Sequence, residues 1–422
     1  MQKQNILVIG SGGREHAILC AMKKSPYCGK LYAAPGNGGM ASIAECVNCK
    51  ATDIDGILKF LENSDVDLVF VAPDDPLMLG MVDRIEEKGI RAFGPRSNAA
   101  IIEGSKVFSK DLMKKYSIPT AGYEVFENPS DVLAYIKEKN TYPTVIKAEG
   151  LALGKGVIIA EDLAAAEAAV KTIMEDKIFG ASGNRVVVEE FLTGPEVSVL
   201  AFCDGKTVVP MVSAQDHKRA FDNDKGPNTG GMGTFSPSRV YTPEIADVCM
   251  KTIFKPTVEA MAKEGRPFKG VLYFGLMLTA KGPMVIEYNA RFGDPETQVV
   301  LPRLKSDFIE IINAVIDEKL DTLNIEWEDN AAVCVVAASG GYPGSYKTGY
   351  EISGLEECEK SGAVVYHAGT KLADGKIVTG GGRVLGVTSV ADTLDEAIKK
   401  SYNAVEKISF TDMFYRRDIG IK

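Results

Sequence analysis

No stretch of this chain approaches the ~20 consecutive apolar residues that a membrane-spanning helix needs. The N-terminal apolar run, Ile6 to Ile9, gives way to glycines rather than to a cleavage site, so no secretory leader is expected. Histidine is scarce, with only three in the chain, and the eight cysteines are scattered. Cys46 and Cys49 make the sole C-x-x-C and have no second pair, which argues against structural zinc and for reduced thiols. Positive charge is not in excess. The net charge of −9 argues against nucleic acid as a partner, though it leaves room for a local basic groove that binds phosphates. No internal repeat and no low-complexity segment appears. These absences lead to an expectation of a cytoplasmic protein that works on small molecules, without nucleic acid or membrane.

What is present is ordinary for a globular protein: 45% hydrophobic and 25% charged residues. A length of 422 residues exceeds one compact core and predicts roughly three domains. In the first, residues 1–103, a buried strand NILVIG runs into Ser11, Gly12, Gly13 and a helix over 14–24. Strand, glycine turn and helix suit a phosphate, because the helix N-terminus offers free N–H groups. The pattern G-x-G-x-x-G fails at Glu15, and the strand over 30–34 ends in Pro35-Gly36 without the acid that would hold a ribose. The turn is therefore an anion site or a bare tight turn. Strands over 68–71 and 91–93, alternating with helices over 53–63 and 77–88, predict a doubly wound parallel sheet.

The stretch that organises the chain is EYNARFGDPETQ, residues 287–298. Strands over 271–278 and 284–289, joined by a turn through Lys281-Gly282-Pro283, predict a hairpin. Alternation places Glu287, Asn289 and Arg291 on one face and Ile286 and Tyr288 on the other. Oxygen ligands at this spacing suit Mg²⁺, and an adjacent Arg suits a carboxylate or phosphoryl oxygen. Upstream, Lys147 interrupts an apolar strand, TVIKA, and a glycine-rich loop with Gly150, Gly154, Lys155 and Gly156 follows between two strands. Such a loop is more like a cover over a triphosphate than a Walker loop. RVVVEEFL then ends a strand in paired acids before Glu196 begins another, an edge that can meet a purine and a ribose. A polar stretch, QDHKRAFDNDKGPNTGGMG over 215–233, interleaves basic groups with glycines and suits an anionic sugar phosphate. Residues 328–422 read as a small α+β unit, with a hairpin over Asp374-Gly375 and a helix over 393–408 capped by Asp392 or Thr393.

Taken together, IGSGGREHA (9–17), IIEGSKVFSKDLM (101–113), IKAEGLALGKGV (146–157), the 215–233 stretch, NARFGDPETQVVLPR (289–303), SGGYPGSY (339–346), GGGRVLGVT (380–388) and YRRDIG (415–420) closely resemble the glycinamide ribonucleotide synthetases, or phosphoribosylamine–glycine ligases, of the ATP-grasp superfamily. The resemblance covers nearly the full length. It implies an α/β and α+β multidomain fold: an N-terminal substrate-binding domain over 1–103, an ATP-grasp clamp over 104–327 with a lid near 123–193, and a C-terminal domain over 328–422. The implied reaction is the second step of purine biosynthesis. ATP phosphorylates the glycine carboxylate, and the amine of 5-phosphoribosylamine displaces phosphate from the glycyl phosphate.

Residue roles follow from the same resemblance. Lys106, Lys147, Gly150, Gly154, Lys155 and Gly156 contact or cover the ATP phosphates; Glu189, Glu190, Phe191 and Leu192 meet adenine and Glu196 the ribose. Glu287 and Asn289 bind Mg²⁺ or Mn²⁺, and Arg291, Lys155 and Asp294 take catalytic roles. Gly10, Gly12, Gly13, Arg14, Asp216, His217, Lys218, Lys225 and Asn228 hold phosphoribosylamine. A monofunctional monomer is expected. Three departures stand out: Glu149 replaces an Asp, Asp74-Asp75 replaces Glu-Ala, and Gly275 lies where other ATP-grasp enzymes carry a metal-binding glutamate. The alternatives are another ATP-grasp ligase or carboxylase of the purine route and a regulatory ATP-binding protein; the intact Glu287, Asn289, Lys147 and Lys155 oppose the latter.

Overall fold

The computed structural model describes residues 2–151 and 156–421. Its first strand, Gln4–Gly10, sits in the middle of a five-stranded parallel sheet. The order is Glu45–Cys46, Cys28–Pro35, Gln4–Gly10, Leu68–Val71 and Arg91–Phe93. Ile6, Leu7, Val8 and Ile9 are all fully buried, as in a strand covered on both faces. Each such side chain contributes about 1.5–3 kcal/mol by leaving water. Strand order reverses at Gln4–Gly10, so the turn beyond Gly10 opens at the switch point where open α/β sheets bind ligands.

The single helix expected over 77–88 is two, Asp74–Met78 and Met81–Glu87. Between them Gly80 takes a left-handed conformation (φ 82°), which breaks the run.

Two four-stranded sheets follow. One is ordered Tyr123–Phe126, Val186–Glu190, Thr144–Ala148, Val157–Ala160. The other is ordered Val208–Pro210, Glu196–Asp204, Lys269–Thr279, Gly282–Asn289. Glu196 lies where the chain passes from the first sheet to the second. The predicted hairpin is present but turns over Ala280–Lys281, so that Gly282 and Pro283 belong to its second strand. Tyr288 is buried while Glu287 and Asn289 are only partly so, as alternation predicts, but Ile286 is also only partly buried and Val285 is buried instead, because the pairing shifts register between Gly275 and Leu276.

The last sheet is ordered Gln215–Asp216, Gly233–Ser236, Ala331–Ser339, Arg383–Ala391, Val364–His367, with Met413–Phe414 pairing onto Ala331–Ser339. Both ends of the polar 215–233 stretch are thus strands of a sheet whose other strands lie between Ala331 and Phe414. Its middle is also ordered: Arg219–Phe221 pairs with Lys225–Asn228 as a small hairpin. Its polar, glycine-rich composition disfavours strands, and strand pairing overrides that preference. The helix Leu394–Val405 is capped by Thr393, whose side chain accepts from Glu396 N–H.

Candidate active site

Helix Lys106–Lys115 begins beside the glycine-rich loop. Ser105 caps it by accepting from Phe108 N–H, and Lys106 Nζ donates to Gly150 O at 3.0 Å. Gly154 and Lys155 lie outside the described residues. Gly156 O accepts from Ala148 N–H, closing the strand pair around the loop. Glu149 is held by Ser105 Oγ and, through both of its oxygens, by Arg185. The longer acid at this position therefore braces the loop's first residue.

Lys147 is buried and reaches from one sheet to the other. Its Nζ lies 3.0 Å from Glu189 Oε1 and donates to Ile286 O at 3.1 Å. Glu189 has a second cation, Lys110, 2.9 Å from its Oε2. The Glu189 side chain therefore faces two lysines, and its backbone lies between Tyr123 and Val145 of the neighbouring strands. Glu190 is exposed, with its N–H bound to Gly122 O, and Phe191 and Leu192 are partly buried beyond it. Burial draws the Lys106 ammonium below its ordinary range and Lys147 adds to the effect, while Glu287 opposes it.

At the end of strand Gly282–Asn289 stand Glu287, Asn289 and Arg291. Burial alone would raise the Glu287 carboxyl, but Lys218, Lys147, Lys106 and Arg291 outweigh it and hold it ionised below the usual range. Asn289 Nδ2 donates to Glu103 Oε1 at 3.0 Å, which leaves Asn289 Oδ1 as an acceptor. A carboxylate kept charged and a free carboxamide oxygen fit a hard cation that completes its shell with water and phosphate. Among the described residues no cluster of three or more His, Cys, Asp or Glu could hold a metal by itself. Gly275 pairs with Glu287 across the hairpin, and a Cβ there would press on Glu287 Cγ at 3.0 Å.

Lys218, from the 215–233 stretch, approaches the same place. Its Nζ is 3.0 Å from Glu196 Oε2 and 3.7 Å from Glu287 Oε1. Burial would lower its ammonium, but Glu196, Asp216 and Glu287 prevail and keep it charged. Asp216 is pushed upward by burial, with Glu296, Glu196 and Glu287 adding to the rise. The resemblance places His217 against substrate. Its ring is instead buried near Phe235, and burial together with Arg416 lowers it to about 4, so it is neutral. Lys225 is exposed on the hairpin and Asn228 sits opposite Arg219.

At the glycine turn, the helix Gly13–Lys23 is capped from within, because Gly12 N–H donates to Glu15 Oε2 at 2.6 Å. Glu15 also holds Arg14 Nε, and Arg14 Nη1 donates to Phe292 O. The residue that spoils the dinucleotide pattern is thus the one that occupies the turn. Gly10 has φ 123°, and a Cβ there would meet Glu15 Cγ at 2.5 Å; one at Gly13 would meet Gln298 Nε2 at 2.6 Å. Asp294 lies between Arg383 Nη2, at 3.3 Å, and Gln298 Nε2, at 2.8 Å. Burial would raise its carboxyl, but Arg383 and Arg14 hold it below the usual range. Asp74, one of the departures, is likewise kept low against its burial by Arg291 and Arg14.

Sequence reasoning missed Glu103, Lys110, Arg383 and Arg416 as site-building residues. Each lies in a motif quoted above, but nothing local separates a buried charge from a solvated one.

Three family models, for the N, ATP-grasp (A) and C domains of phosphoribosylglycinamide synthetase, match residues 4–103, 104–297 and 332–422. A phosphoribosylamine–glycine ligase of Caldanaerobacter subterraneus subsp. tengcongensis is 50% identical over 415 residues, 98% of this chain and 99% of that one. The crystal structure of a phosphoribosylamine–glycine ligase from Thermotoga maritima matches with a TM-score of 0.87 at 37% identity, covering 99% of this chain and 100% of that chain. A biotin carboxylase domain of the Hydrogenobacter thermophilus 2-oxoglutarate carboxylase, solved with MgADP, shares the fold at 16% identity. Its TM-score is 0.75, over 98% of this chain and 92% of that one.

Proposed function

This chain belongs to the phosphoribosylglycinamide synthetase family, and from that premise we propose that it is an ATP-dependent phosphoribosylamine–glycine ligase of purine biosynthesis. The observation that carries the reading is the meeting of an ionised Glu287, a free Asn289 Oδ1 and Arg291 with the ammonium groups of Lys106, Lys147 and Lys218. An acid and a carboxamide suited to one divalent cation, ringed by cations suited to phosphates, are what ATP-driven acyl activation needs.

Glu287 and Asn289 would hold the metal, which we take to be Mg²⁺ with Mn²⁺ as a substitute; when bound, it neutralises charge on the ATP phosphates. Lys106 and Lys147 would meet those phosphates, with the loop over 150–156 above them. Backbone of residues 189–192 would meet adenine, and Glu196 the ribose, for which Lys218 would have to yield. A glycine carboxylate oxygen attacks the γ-phosphorus, the bond to the β-phosphate oxygen breaks, and ADP leaves. The nitrogen of phosphoribosylamine then attacks the acyl carbon. The C–O bond to phosphate breaks, phosphate departs, and the nitrogen loses a proton to give the amide. Arg291 would steady the oxygens of the acyl phosphate. Asp294, held ionised, suits an orienting acceptor. These groups act by position and charge, so no covalent nucleophile is required of the protein.

We assign phosphoribosylamine to Gly10, Gly12, Gly13 and Arg14 and to Asp216, Lys218, Lys225 and Asn228, with His217 as packing beneath them. We further propose domain boundaries after residues 103 and 327, a cytoplasmic location and a monomeric state; no helix among the described residues is long and apolar enough to cross a membrane.

The test is ADP release with Mg²⁺, glycine, and phosphoribosylamine generated in place from ribose 5-phosphate and ammonia, omitting each in turn. Release that requires both glycine and the amine is expected. Turnover driven by bicarbonate or formate, with glycine inert, would overturn the reading.

A further inference from the structure

Glu103 is the penultimate residue of the helix Ser97–Gly104, which leads out of the N-terminal sheet. Its side chain is only 5% exposed, and it ends against the strand that carries the metal-suited residues. Oε1 accepts from Asn289 Nδ2 at 3.0 Å and lies 3.0 Å from Arg291 Nη2. Oε2 accepts from Ala290 N–H at 2.6 Å. Two consecutive residues thus each give an N–H to one carboxylate, and the third, Arg291, pairs with it by charge.

We propose that Glu103 is a positioning residue that fixes the carboxamide of Asn289 and the guanidinium of Arg291 together, so that the cation and the acyl group are held in one frame. The inference rests on the metal assignment made above. A carboxamide can flip and present either oxygen or nitrogen. The Glu103 oxygens, set against Ala290 N–H and the Arg291 guanidinium, stand as acceptors, so the Asn289 nitrogen faces them and Oδ1 is turned away to serve as a ligand. A flip would set oxygen against carboxylate and offer two donors where a cation belongs. Arg291 is held by the same oxygen, with Nη1 on Phe292 O. Its Nε is buried without a hydrogen-bond partner among the described residues, a donor in reserve for an acyl or phosphoryl oxygen.

The chain around Glu103 is equally constrained. A Cβ on Gly104 would overlap the Met78 thioether, so the helix end is pressed onto the helix Asp74–Met78. Ser105 and Lys106 then hold Glu149 and Gly150. One tetrapeptide, residues 103–106, therefore ties the metal-suited strand at one end and the glycine-rich loop at the other.

The experiment compares Glu103→Gln and Glu103→Asp with the unaltered protein, using Glu287→Ala as a reference. The primary readout is Mn²⁺ affinity of the complex with a non-hydrolysable ATP analogue, by electron paramagnetic resonance. Metal-free binding of the analogue, the KM for glycine and the thermal midpoint accompany it. Gln keeps the shape but removes the charge paired with Arg291 and offers only one oxygen to Asn289 Nδ2 and Ala290 N–H. We expect Mn²⁺ affinity to fall about 10- to 100-fold, as for other residues that orient metal ligands, and the glycine KM to rise with it. Metal-free nucleotide binding should stay near that of the unaltered protein. Glu103→Asp keeps the charge and should recover part of the loss. Unchanged Mn²⁺ affinity and glycine KM in a folded Glu103→Gln variant would overturn the inference. If that variant fails to fold, Glu103→Asp decides alone: weakened Mn²⁺ affinity supports the role and unchanged affinity overturns it. Mn²⁺ affinity lost in Glu287→Ala but not in Glu103→Gln refutes the positioning role alone, whereas no loss in either removes the metal assignment beneath it.

Discussion

Replacing Arg416 by Met should unfasten the hairpin that carries the 219–228 residues. The Arg416 side chain is fully buried. Its Nε and Nη2 meet the two oxygens of Asp418 at 2.7 Å each, and Nη2 also reaches Asp224 Oδ1 at 2.9 Å. Nη1 donates to Arg219 O at 3.0 Å, on the hairpin's first strand. The same C-terminal segment grips the hairpin tip, with Arg417 N–H on Asp222 and Asn223 N–H on Asp418. Burial alone would raise the Asp418 carboxyl, but Arg416 and the Asn223 N–H bring it down to about 2. Linkage sets an upper bound of about 2.4 kcal/mol on that shift, and solvent screening at this rim position reduces it to about 1–2 kcal/mol. Loss of the bonds to Asp224 and Arg219 O adds about 1 kcal/mol. Met keeps most of the apolar volume, so Arg416→Met should cost about 2–3 kcal/mol at neutral pH. A carboxyl whose folded pKa is depressed stabilises fully above its unfolded pKa, and that contribution is lost as pH falls towards the folded value. The gap between the two proteins should therefore be constant at neutral pH and shrink between about pH 4 and pH 2. Urea midpoints across that range measure it, with protease cleavage at residues 222–224 as a local probe. A stability difference under about 0.5 kcal/mol at neutral pH, or a gap that does not shrink in acid, would refute the reasoning.

Glu287→Ala should abolish metal-dependent turnover while leaving the thermal midpoint nearly unchanged, since the side chain is partly exposed and packs no core; normal activity would remove the metal assignment. Lys110 is buried, and burial lowers its ammonium to about 8 in spite of Glu189. The unfolded chain then binds the extra proton between about pH 8 and the ordinary lysine value near 10.4, so this group makes stability rise with pH across that window. Lys110→Met should flatten the rise, read as urea midpoints on the alkaline side. Gly39→Ala would drive a methyl into the His367 ring, at the contact between the N-terminal sheet and the last one, and should cost about 1–3 kcal/mol in denaturation.

The parts of the fold legible in the sequence are those that local periodicity controls. The strand Gln4–Gly10 carries an unbroken apolar run over Ile6 to Ile9, and the strand ending at Asn289 shows two faces by alternation over its last three residues. The 215–233 stretch was opaque because its composition disfavours strands; Gly233–Ser236 is a strand because Gln215–Asp216 and the distant Ala331–Ser339 pair with it. Glu103, Lys110 and Arg416 were opaque for a related reason. A charged residue is buried only where partners satisfy it, and theirs are supplied by residues 289–291, by Glu189 and by Arg219 and Asp224. Lys106 and Lys110, four residues apart on one helix, look alike in sequence, yet Lys110 is the one sealed against Glu189.

The location of these hidden charges has a physical logic. The segment RFGDPETQ is short, polar and poor in regular structure, so it cannot hold its own geometry; the surrounding units hold it from outside. Arg14 donates to Phe292 O from the first helix of the N-terminal domain, and Glu103 accepts from Asn289 and Ala290 and pairs with Arg291. From the last sheet, Arg383 donates to Asp294 O and to Gly230 O, joining this segment to the 215–233 stretch. The outer units are themselves locked together, since His367 N–H donates to His16 Nδ1 and Asn37 Nδ2 to His367 O. Charges that must meet developing charge in a reaction gain most when they are fixed before it begins. Fixing them requires partners that do not move with the segment, which a hairpin end cannot supply for itself. Three packed units can, and this accounts for a candidate site whose supports come from positions as far apart as Arg14 and Arg383.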